Sequence, residues 1–202
     1  IGITRLHLEN DAGKLMHEGE FSLIDLNRSG SPLMEIVTEP DLRSPFEAKQ
    51  FAEELQKVLQ TIGSSEVNMF KGQIRFDASI SLRPKVEKKL YPRTEVKNLN
   101  SFKVLESALG YEIRRQTKLW EEGKAPEKEI TVGWIDEEQR TQMMREKESA
   151  SEYRYFPEPD LPPLELKRVY VDTLRQSIPE LPAKYRERLL SEYGLSEKEA
   201  EI

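Results

Sequence analysis

Carboxylates occur within apolar strand patterns of this sequence, at positions where packing alone would not favour them. Glu35 lies in the apolar run of residues 32–37, and Asp77 lies in the middle of an alternating segment, residues 73–83. A carboxylate inside a buried strand is costly unless a cation or a metal neutralises it. Such oxygen donors suit Mg²⁺, which usually binds one or two carboxylates together with substrate phosphates. Alternatively, Glu35 could point to water from a sheet edge, and Asp77 could form a cross-strand ion pair.

Other polar groups stand near strand ends, where they could bind an anion. Arg28 lies in the loop Asn-Arg-Ser-Gly-Ser-Pro, and Arg75 shares the polar face of its strand with Asp77. A guanidinium can hold phosphate or carboxylate through two hydrogen bonds, although a single loop arginine is more often solvated.

A polar turn near the start of the chain is another candidate. Glu9 and Asn10 enter a turn that ends in Gly and Lys. That turn could bind a ligand or be an ordinary polar connection.

A third candidate lies among aromatic side chains near residue 155. Arg154 and Tyr155 belong to the sequence Tyr-Arg-Tyr-Phe. Aromatic and guanidinium planes can stack on a nucleotide base or on the CCA end of an RNA. By composition alone, the same residues could pack as an aromatic cluster under the proline-rich segment that follows.

The elements that must position these groups alternate between strand and helix patterns. Residues 1–43 predict β-structure with polar turns. A capped helix is predicted over 45–62, because Ser44 precedes Pro45 and Glu47 completes a capping box. Period-two alternation predicts a strand over 73–83 with one face on the core and the other open. Further strands are predicted at 94–98 and 129–134, and helices at 101–122, 170–178 and 182–193, with another beginning at residue 196.

Composition limits the classes of function. The chain has 202 residues, of which 37% are hydrophobic and 34% charged, with a net charge of −6. It lacks the ~20 consecutive apolar residues of a membrane span, and it has no Cys for thiol or zinc chemistry. The negative charge argues against a general nucleic-acid coat but not against a local basic patch. Because the chain starts without Met inside a strand pattern, we expect a piece of a longer protein.

Several long segments in fixed order resemble one family. They are Ile-Gly-Ile-Thr-Arg-Leu-His-Leu-Glu at 1–9 with Asp-Ala-Gly-Lys at 11–14, Asp-Leu-Asn-Arg-Ser-Gly-Ser-Pro-Leu-Met-Glu-Ile-Val-Thr-Glu-Pro-Asp at 25–41, Arg-Phe-Asp-Ala-Ser-Ile-Ser-Leu-Arg-Pro at 75–84, Glu-Val-Lys-Asn-Leu-Asn-Ser-Phe at 95–102 and Tyr-Arg-Tyr-Phe-Pro-Glu-Pro-Asp at 153–160. Together they resemble the B subunits of glutamine-dependent aspartyl/glutamyl-tRNA amidotransferases. The resemblance extends over nearly the whole chain.

This resemblance implies an activity, a fold and partners. The family uses ATP and Mg²⁺ to phosphorylate the side-chain carboxyl of Glu or Asp on a misacylated tRNA. Ammonia from a glutaminase A subunit then displaces the phosphate, and both of these proteins are joined by a small C subunit. The implied fold is α+β, with an antiparallel sheet and flanking helices of the glutamine synthetase/guanido kinase type. Residues 1–168 would be the second part of the catalytic cradle domain, and 169–202 a linker and the start of a helical domain, in a cytoplasmic enzyme.

The resemblance also assigns roles to residues. Glu9, Asn10, Glu35 and Asp77 would lie around the metal and phosphate site. On physical grounds, Arg28 and Arg75 would contact anionic substrate, and Arg154 with Tyr155 would meet the tRNA end. The family usually has Glu where this chain has Asn10, so one ligand charge is missing. Two alternatives therefore stay open: a noncatalytic protein for tRNA binding or assembly, and an unrelated ATP-dependent ligase.

Overall fold

The computed structural model describes residues 1–146, 159–160 and 162–201, and for residues 145 and 146 it describes the backbone only. The chain divides into two compact units, Ile1–Arg43 and Ser44–Ile202, which are treated separately below. The strands are β1 Ile3–Asn10, β2 Lys14–Glu18, β3 Phe21–Asp25, β4 Pro32–Thr38, β5 Phe76–Ile80, β6 Thr94–Leu99, β7 Ile130–Ile135 and β8 Arg140–Glu146. The helices are α1 Pro45–Thr61, α2 Phe102–Glu121, α3 Arg168–Ser177 and α4 Pro182–Tyr193.

The first unit is β-structure, as its sequence predicted, and it consists of two antiparallel strand pairs; β3 and β4, which follow each other in the chain, belong to different pairs. β1 pairs with β4, and β2 forms a hairpin with β3. Because side chains alternate along a strand, the β1–β4 pair has two chemically different faces. Directly opposed residues put Leu6 beside Ile36 and Leu8 beside Met34 on the apolar face. On the other face, His7 lies opposite Glu35.

The second unit contains a four-stranded sheet in the order β5-β6-β7-β8. The resemblance implied antiparallel pairing, which is found for β5–β6 and β7–β8, whereas β6 and β7 run parallel. The parallel pair arises because helix α2 lies between these strands in the chain and returns it to the same end of the sheet. The protein is therefore a mixed helix-and-strand fold with four helices among its described residues.

Two serine caps set the starts of the long helices. Ser44 Oγ accepts a hydrogen bond from the Glu47 backbone N–H at 3.2 Å, and Ser101 Oγ accepts one from Val104 N–H at 3.0 Å. Each bond satisfies a backbone donor that has no partner within the helix. The first cap was predicted, and α1 ends one residue before the predicted Ile62. The apolar side of α2 is buried through Leu105, Ala108 and Leu109.

Three other elements differ from the sequence-based expectation. Strand β5 is shorter than 73–83, because its partner β6 offers backbone partners only from Thr94, opposite Ile80, to Leu99, opposite Phe76. Strand β8 was not predicted, since its charged sequence lacks clear alternation. The predicted helix from Ser196 is wrong: residues 197–199 form a turn, although Ser196 and Glu199 make reciprocal capping bonds. None of the described helices is long and apolar enough to cross a membrane.

Candidate functional site

Glu35 lies on the charged face of the β1–β4 pair rather than in an apolar core. Its carboxylate accepts a hydrogen bond from Arg5 at 3.2 Å and lies 3.8 Å from His7 Nδ1. The side chain keeps 43% of its surface exposed. The apolar neighbours Met34 and Ile36 point to the opposite face because the strand alternates. The Glu35 carboxylate therefore avoids the cost of burial, because strand alternation places it on an exposed face and Arg5 neutralises its charge.

Glu9 and Asn10 fall on different faces of β1. Glu9 has the same parity as His7 and so shares the face of Glu35, as a diagonal neighbour about 7–8 Å away. Asn10 follows the parity of Leu8 and belongs to the apolar face. Two of the predicted metal ligands are thus brought to one surface, and Asn10 is directed away from it.

Asp11 connects the two loops at the end of the β1–β4 pair. Its carboxylate accepts a hydrogen bond from the Gly13 N–H at 2.8 Å and lies 3.4 Å from the guanidinium of Arg28. The Gly30 N–H donates to the Asp11 carbonyl at 2.8 Å. Asp11 is 8% exposed, whereas Arg28 keeps 51% of its side chain exposed. The loop arginine is therefore held at one side by a buried carboxylate and remains open to an anion at the other.

In the second unit, Asp77 lies on the open face of β5. Burial alternates along the strand as predicted, with Phe76, Ala78 and Ile80 on the inner side. The Asp77 carboxylate accepts a hydrogen bond from Lys97 Nζ at 2.9 Å and is 52% exposed. The predicted alternative, a cross-strand ion pair, is thus present at this position. Asp77 nevertheless remains accessible to a ligand from the open side.

The polar face around Asp77 extends over three strands. Lys97 Nζ also lies 3.8 Å from Glu95, whose other carboxylate oxygen accepts a hydrogen bond from Thr131 at 3.1 Å. The sequence analysis did not include Lys97 and Glu95 among the candidate site residues. Their period-two spacing places both on one face of β6, but only the pairing of β6 with β5 brings Lys97 to Asp77. Arg75 precedes β5, is exposed, and forms no ion pair with a described residue.

A buried polar network fixes the helix that supports this sheet. Glu112 on α2 is fully buried and binds Arg115 through two hydrogen bonds of 2.9 Å. It also accepts hydrogen bonds from Gln116 Nε2 and from the Thr141 hydroxyl on β8. The network joins α2 to the edge strand of the sheet. The sequence carries a signal for it, because Glu112 falls on the helix side marked by Leu105 and Leu109.

The predicted site residues, which are the metal ligands and the two arginines for anionic substrate, are thus divided between the two units. Glu9, Asn10, Arg28 and Glu35 lie in the first, and Arg75 and Asp77 in the second. Among the described residues, no group of three or more His, Asp or Glu side chains could hold a metal ion. Arg154 and Tyr155 lie outside the described residues. A common site for all these residues stays a prediction.

Comparison with known proteins relates this arrangement to a family. The model of the GatB/GatE catalytic domain matches residues 1–172. Proteins named as the B subunits of aspartyl/glutamyl-tRNA(Asn/Gln) amidotransferases are similar over 100% of this chain: the one from Gloeothece citriformis is 49% identical, that from Clostridium kluyveri 48% and that from Carboxydothermus hydrogenoformans 46%. The chain spans 42–43% of the length of these relatives.

These similarities agree with the resemblance seen in the sequence motifs. The matched region includes all strands of both units and the two long helices. Identities of 46–49% over the full chain lie far above what shared fold class alone would produce. The chain belongs to the GatB/GatE catalytic domain family.

Proposed function

We propose that this chain is part of an amidotransferase protein that activates the side-chain carboxyl of Glu or Asp attached to a misacylated tRNA. The single observation that carries the proposal is the 46–49% identity of the whole chain to proteins named as the B subunits of such enzymes. In this reaction a carboxylate oxygen attacks the terminal phosphorus of ATP and ADP leaves. Ammonia then attacks the acyl carbon, and phosphate leaves as the amide forms.

The chemistry requires positioned charge. A carboxylate is a poor acyl donor to ammonia, so it must first be converted into a derivative with a better leaving group. Phosphoryl transfer depends mainly on in-line placement and on neutralising the charge that spreads over the phosphate oxygens. The open face of β5 and β6 offers Lys97 for this purpose and Asp77 to orient its ammonium. Arg28 and Arg75 are further candidates for contacts with anionic substrate.

The residues present fit a bound Mg²⁺ only in part. Glu9 and Glu35 share one face, and one or two carboxylates suffice when phosphates and water complete the shell. Asn10 does not fit this set, because it belongs to the other face. When bound, the ion would neutralise phosphate charge. Binding at Glu35 would require its carboxylate to exchange Arg5 for the metal.

We further infer that the activity requires partner proteins. The relatives that are 46–49% identical are named as B subunits, which implies a complex with further subunits. Ammonia would come from a glutaminase A subunit, and the complex in the cytoplasm would include a small C subunit. The proposed fold is of the glutamine synthetase/guanido kinase type. Residues 1–168 would belong to the catalytic cradle, and the rest would lead into a helical domain.

The test uses the full-length protein in complex with its partners, together with misacylated tRNA, ATP and glutamine. Asp77→Asn is compared with a control, Glu129→Gln, in the same unit. Both carboxylates are about half exposed and ion-paired, Asp77 with Lys97 and Glu129 with Arg93. We expect Asp77→Asn to slow formation of the amidated tRNA by about a hundredfold, because the charge that orients Lys97 is lost. Glu129→Gln should change the rate by less than about twofold, as expected for an exposed ion pair.

A second variant separates the catalytic proposal from a noncatalytic role. Asn10→Glu restores the charge that the family usually carries at this position, and Mg²⁺-dependent ATP turnover is measured beside the unaltered complex. Turnover that depends on misacylated tRNA supports the proposal. If neither form turns over ATP while both bind tRNA, the catalytic proposal is contradicted.

A further inference from the structure

The lysine on the open face of β5 and β6 lies between two carboxylates of unequal exposure. Lys97 Nζ is 2.9 Å from Asp77, which is 52% exposed, and 3.8 Å from Glu95, which is 18% exposed. A lysine ammonium is carried on a flexible four-carbon chain, so its position depends on the groups that attract it. Water screens the more exposed carboxylate more strongly than the other. A fixed position of the ammonium therefore depends also on what holds Glu95.

Glu95 is held by Thr131, on the third strand of the sheet. The two residues are directly opposed in the parallel β6–β7 pair, and the Thr131 hydroxyl donates a hydrogen bond of 3.1 Å to Glu95 Oε2. The other carboxylate oxygen, Oε1, is the one that lies 3.8 Å from Lys97 Nζ. Because a carboxylate is planar, holding Oε2 restricts the direction in which Oε1 can point. Thr131 thus directs Oε1 toward the ammonium.

Burial and stiffness suit Thr131 to this contact. The residue is 1% exposed, so water competes little for its hydroxyl. A threonine hydroxyl has a single proton to donate, and the β-branched side chain has few χ1 rotamers. Hydrogen bonds to an ionised acceptor are also stronger than those between neutral groups. The bond to Glu95 is therefore expected to persist rather than to exchange with solvent.

A second buried threonine in the same sheet shows what a hydroxyl contributes without such a partner. Thr94 on β6 is 0% exposed, and its Oγ1 forms no hydrogen bond with any described residue. A hydroxyl in that setting offers no gain over the methyl group of valine. Thr94 and Thr131 therefore form a matched pair, with the same side chain, the same sheet and similar burial, of which only Thr131 binds a carboxylate.

We propose that Thr131 is a positioning residue, which acts through Glu95 to hold the Lys97 ammonium at the open face of the sheet. The proposal rests on the proposed function for the role of Lys97 in neutralising phosphate charge. A charge that is already in place needs no rearrangement when the negative charge of the transition state develops. Because Thr131 is buried, it acts on the reaction through Glu95 and not by touching substrate. Loss of its hydroxyl should therefore lower the maximal rate and leave substrate affinity nearly unchanged.

The test uses the full-length protein in complex with its partners, with misacylated tRNA, ATP and glutamine. Thr131→Val replaces the hydroxyl by a methyl group, Thr131→Ser keeps the hydroxyl, and Thr94→Val is the control. We expect Thr131→Val to lower kcat per assembled complex about tenfold, with the KM values for ATP and tRNA changed by less than about twofold. Thr131→Ser should keep kcat within about threefold, and Thr94→Val within about twofold. Should Thr131→Val not assemble, Thr131→Ala removes the same hydroxyl without adding volume.

A double-mutant cycle tests the route through Glu95. If Thr131 acts through this carboxylate, Thr131→Val should have no further effect on kcat once Glu95→Gln is present. Losses of kcat that multiply in the double variant would overturn the proposal. Equal losses in Thr131→Val and Thr131→Ser would also overturn it, since they indicate a packing effect, as would a kcat of Thr131→Val equal to that of Thr94→Val.

Chemical labelling of Lys97 separates failure of this proposal from failure of the proposed function. The complexes are treated with an N-hydroxysuccinimide ester of acetate, and acylation of Lys97 is followed by peptide mass spectrometry. Thr131→Val should be labelled there about threefold faster than the unaltered complex, because its ammonium is held less firmly, and Thr94→Val at the unaltered rate. Equal labelling in all three complexes would overturn the proposal. If the unaltered complex forms no amidated tRNA but labelling changes as expected, the proposed function fails and the assigned contact of Thr131 stands.

Discussion

The two units of this protein position their polar groups by different means. In the first, Ile1–Arg43, most side chains of β1 are exposed, with Leu8 at 70%, and most of those of β4 are only half-buried. The described apolar side chains that are fully buried all lie in the second unit, for example Leu105, Val96 and Trp134. The second unit thus holds Asp77 and Lys97 on a sheet packed against a helix. The first holds Glu35 and Arg28 by backbone ladders and local ion pairs alone.

The difference shows that candidate residues of similar chemistry can be held in place by a packed core in one unit and by strand pairing and ion pairs in another. A two-stranded sheet is marginal by itself, and three or more strands or packing against a helix are needed for independent stability. A site residue on β5 is therefore held rigidly, because its strand belongs to a sheet that packs against the core of the second unit. A site residue on β1 or β4 depends on contacts such as Asp11 with Arg28. The predictions below measure this contrast, beginning with the largest expected effect.

Truncating one leucine in each unit tests where the stability resides. Leu105→Ala removes a side chain that is 4% exposed, and we expect the free energy of unfolding of this chain to fall by about 3 kcal/mol. Leu8→Ala should cost less than about 0.5 kcal/mol, because its side chain is already in water. Urea denaturation measures both. A cost above about 1.5 kcal/mol at Leu8 would break the contrast, since it requires a buried apolar face in the first unit.

Removing the buried carboxylate of each unit sharpens the comparison. Glu112→Ala leaves Arg115 without its two hydrogen bonds, so we expect a loss of about 2–3 kcal/mol on urea denaturation. Asp11→Ala removes the bonds to Gly13 and Arg28 and should cost about 1 kcal/mol. Its effect should be local, seen as faster amide hydrogen exchange at Gly13 with unchanged exchange in α2. Equal costs for the two substitutions would contradict the view that only one unit has a cooperative core.

The smallest effect concerns an ion pair outside the core of the second unit. Arg188 binds Glu180 through hydrogen bonds of 2.7 and 2.9 Å and thereby lowers the pKa of that carboxyl. A lowered pKa adds stability above the unfolded-state value, and this stability is lost as the pH falls through the folded-state pKa. Arg188→Gln should return the Glu180 pKa toward its ordinary range in an NMR titration. An unchanged Glu180 pKa would show that the pair does not persist in solution.

Much of the secondary structure could be predicted from local signals. The Ser-Pro-x-Glu start of α1 and the alternation of β5 depend only on neighbouring residues, and both are found in the structure. Strand β8 and the turn after Ser196 could not be read in this way. Strand β8 is an edge strand formed by its pairing with β7, and the capping residues Ser196 and Glu199 close only a turn over residues 197–199.

The sequence by itself determined the family, because long motifs and 46–49% identity depend on residue order and not on shape. It also supplied the candidate residues for phosphate and metal binding, which stay a prediction. Tertiary structure alone decided their partners. The strand register brings Lys97 to Asp77 and Arg5 to Glu35, and the parity of β1 separates Asn10 from Glu9. These choices are non-local, since they depend on which strands pair and in which register.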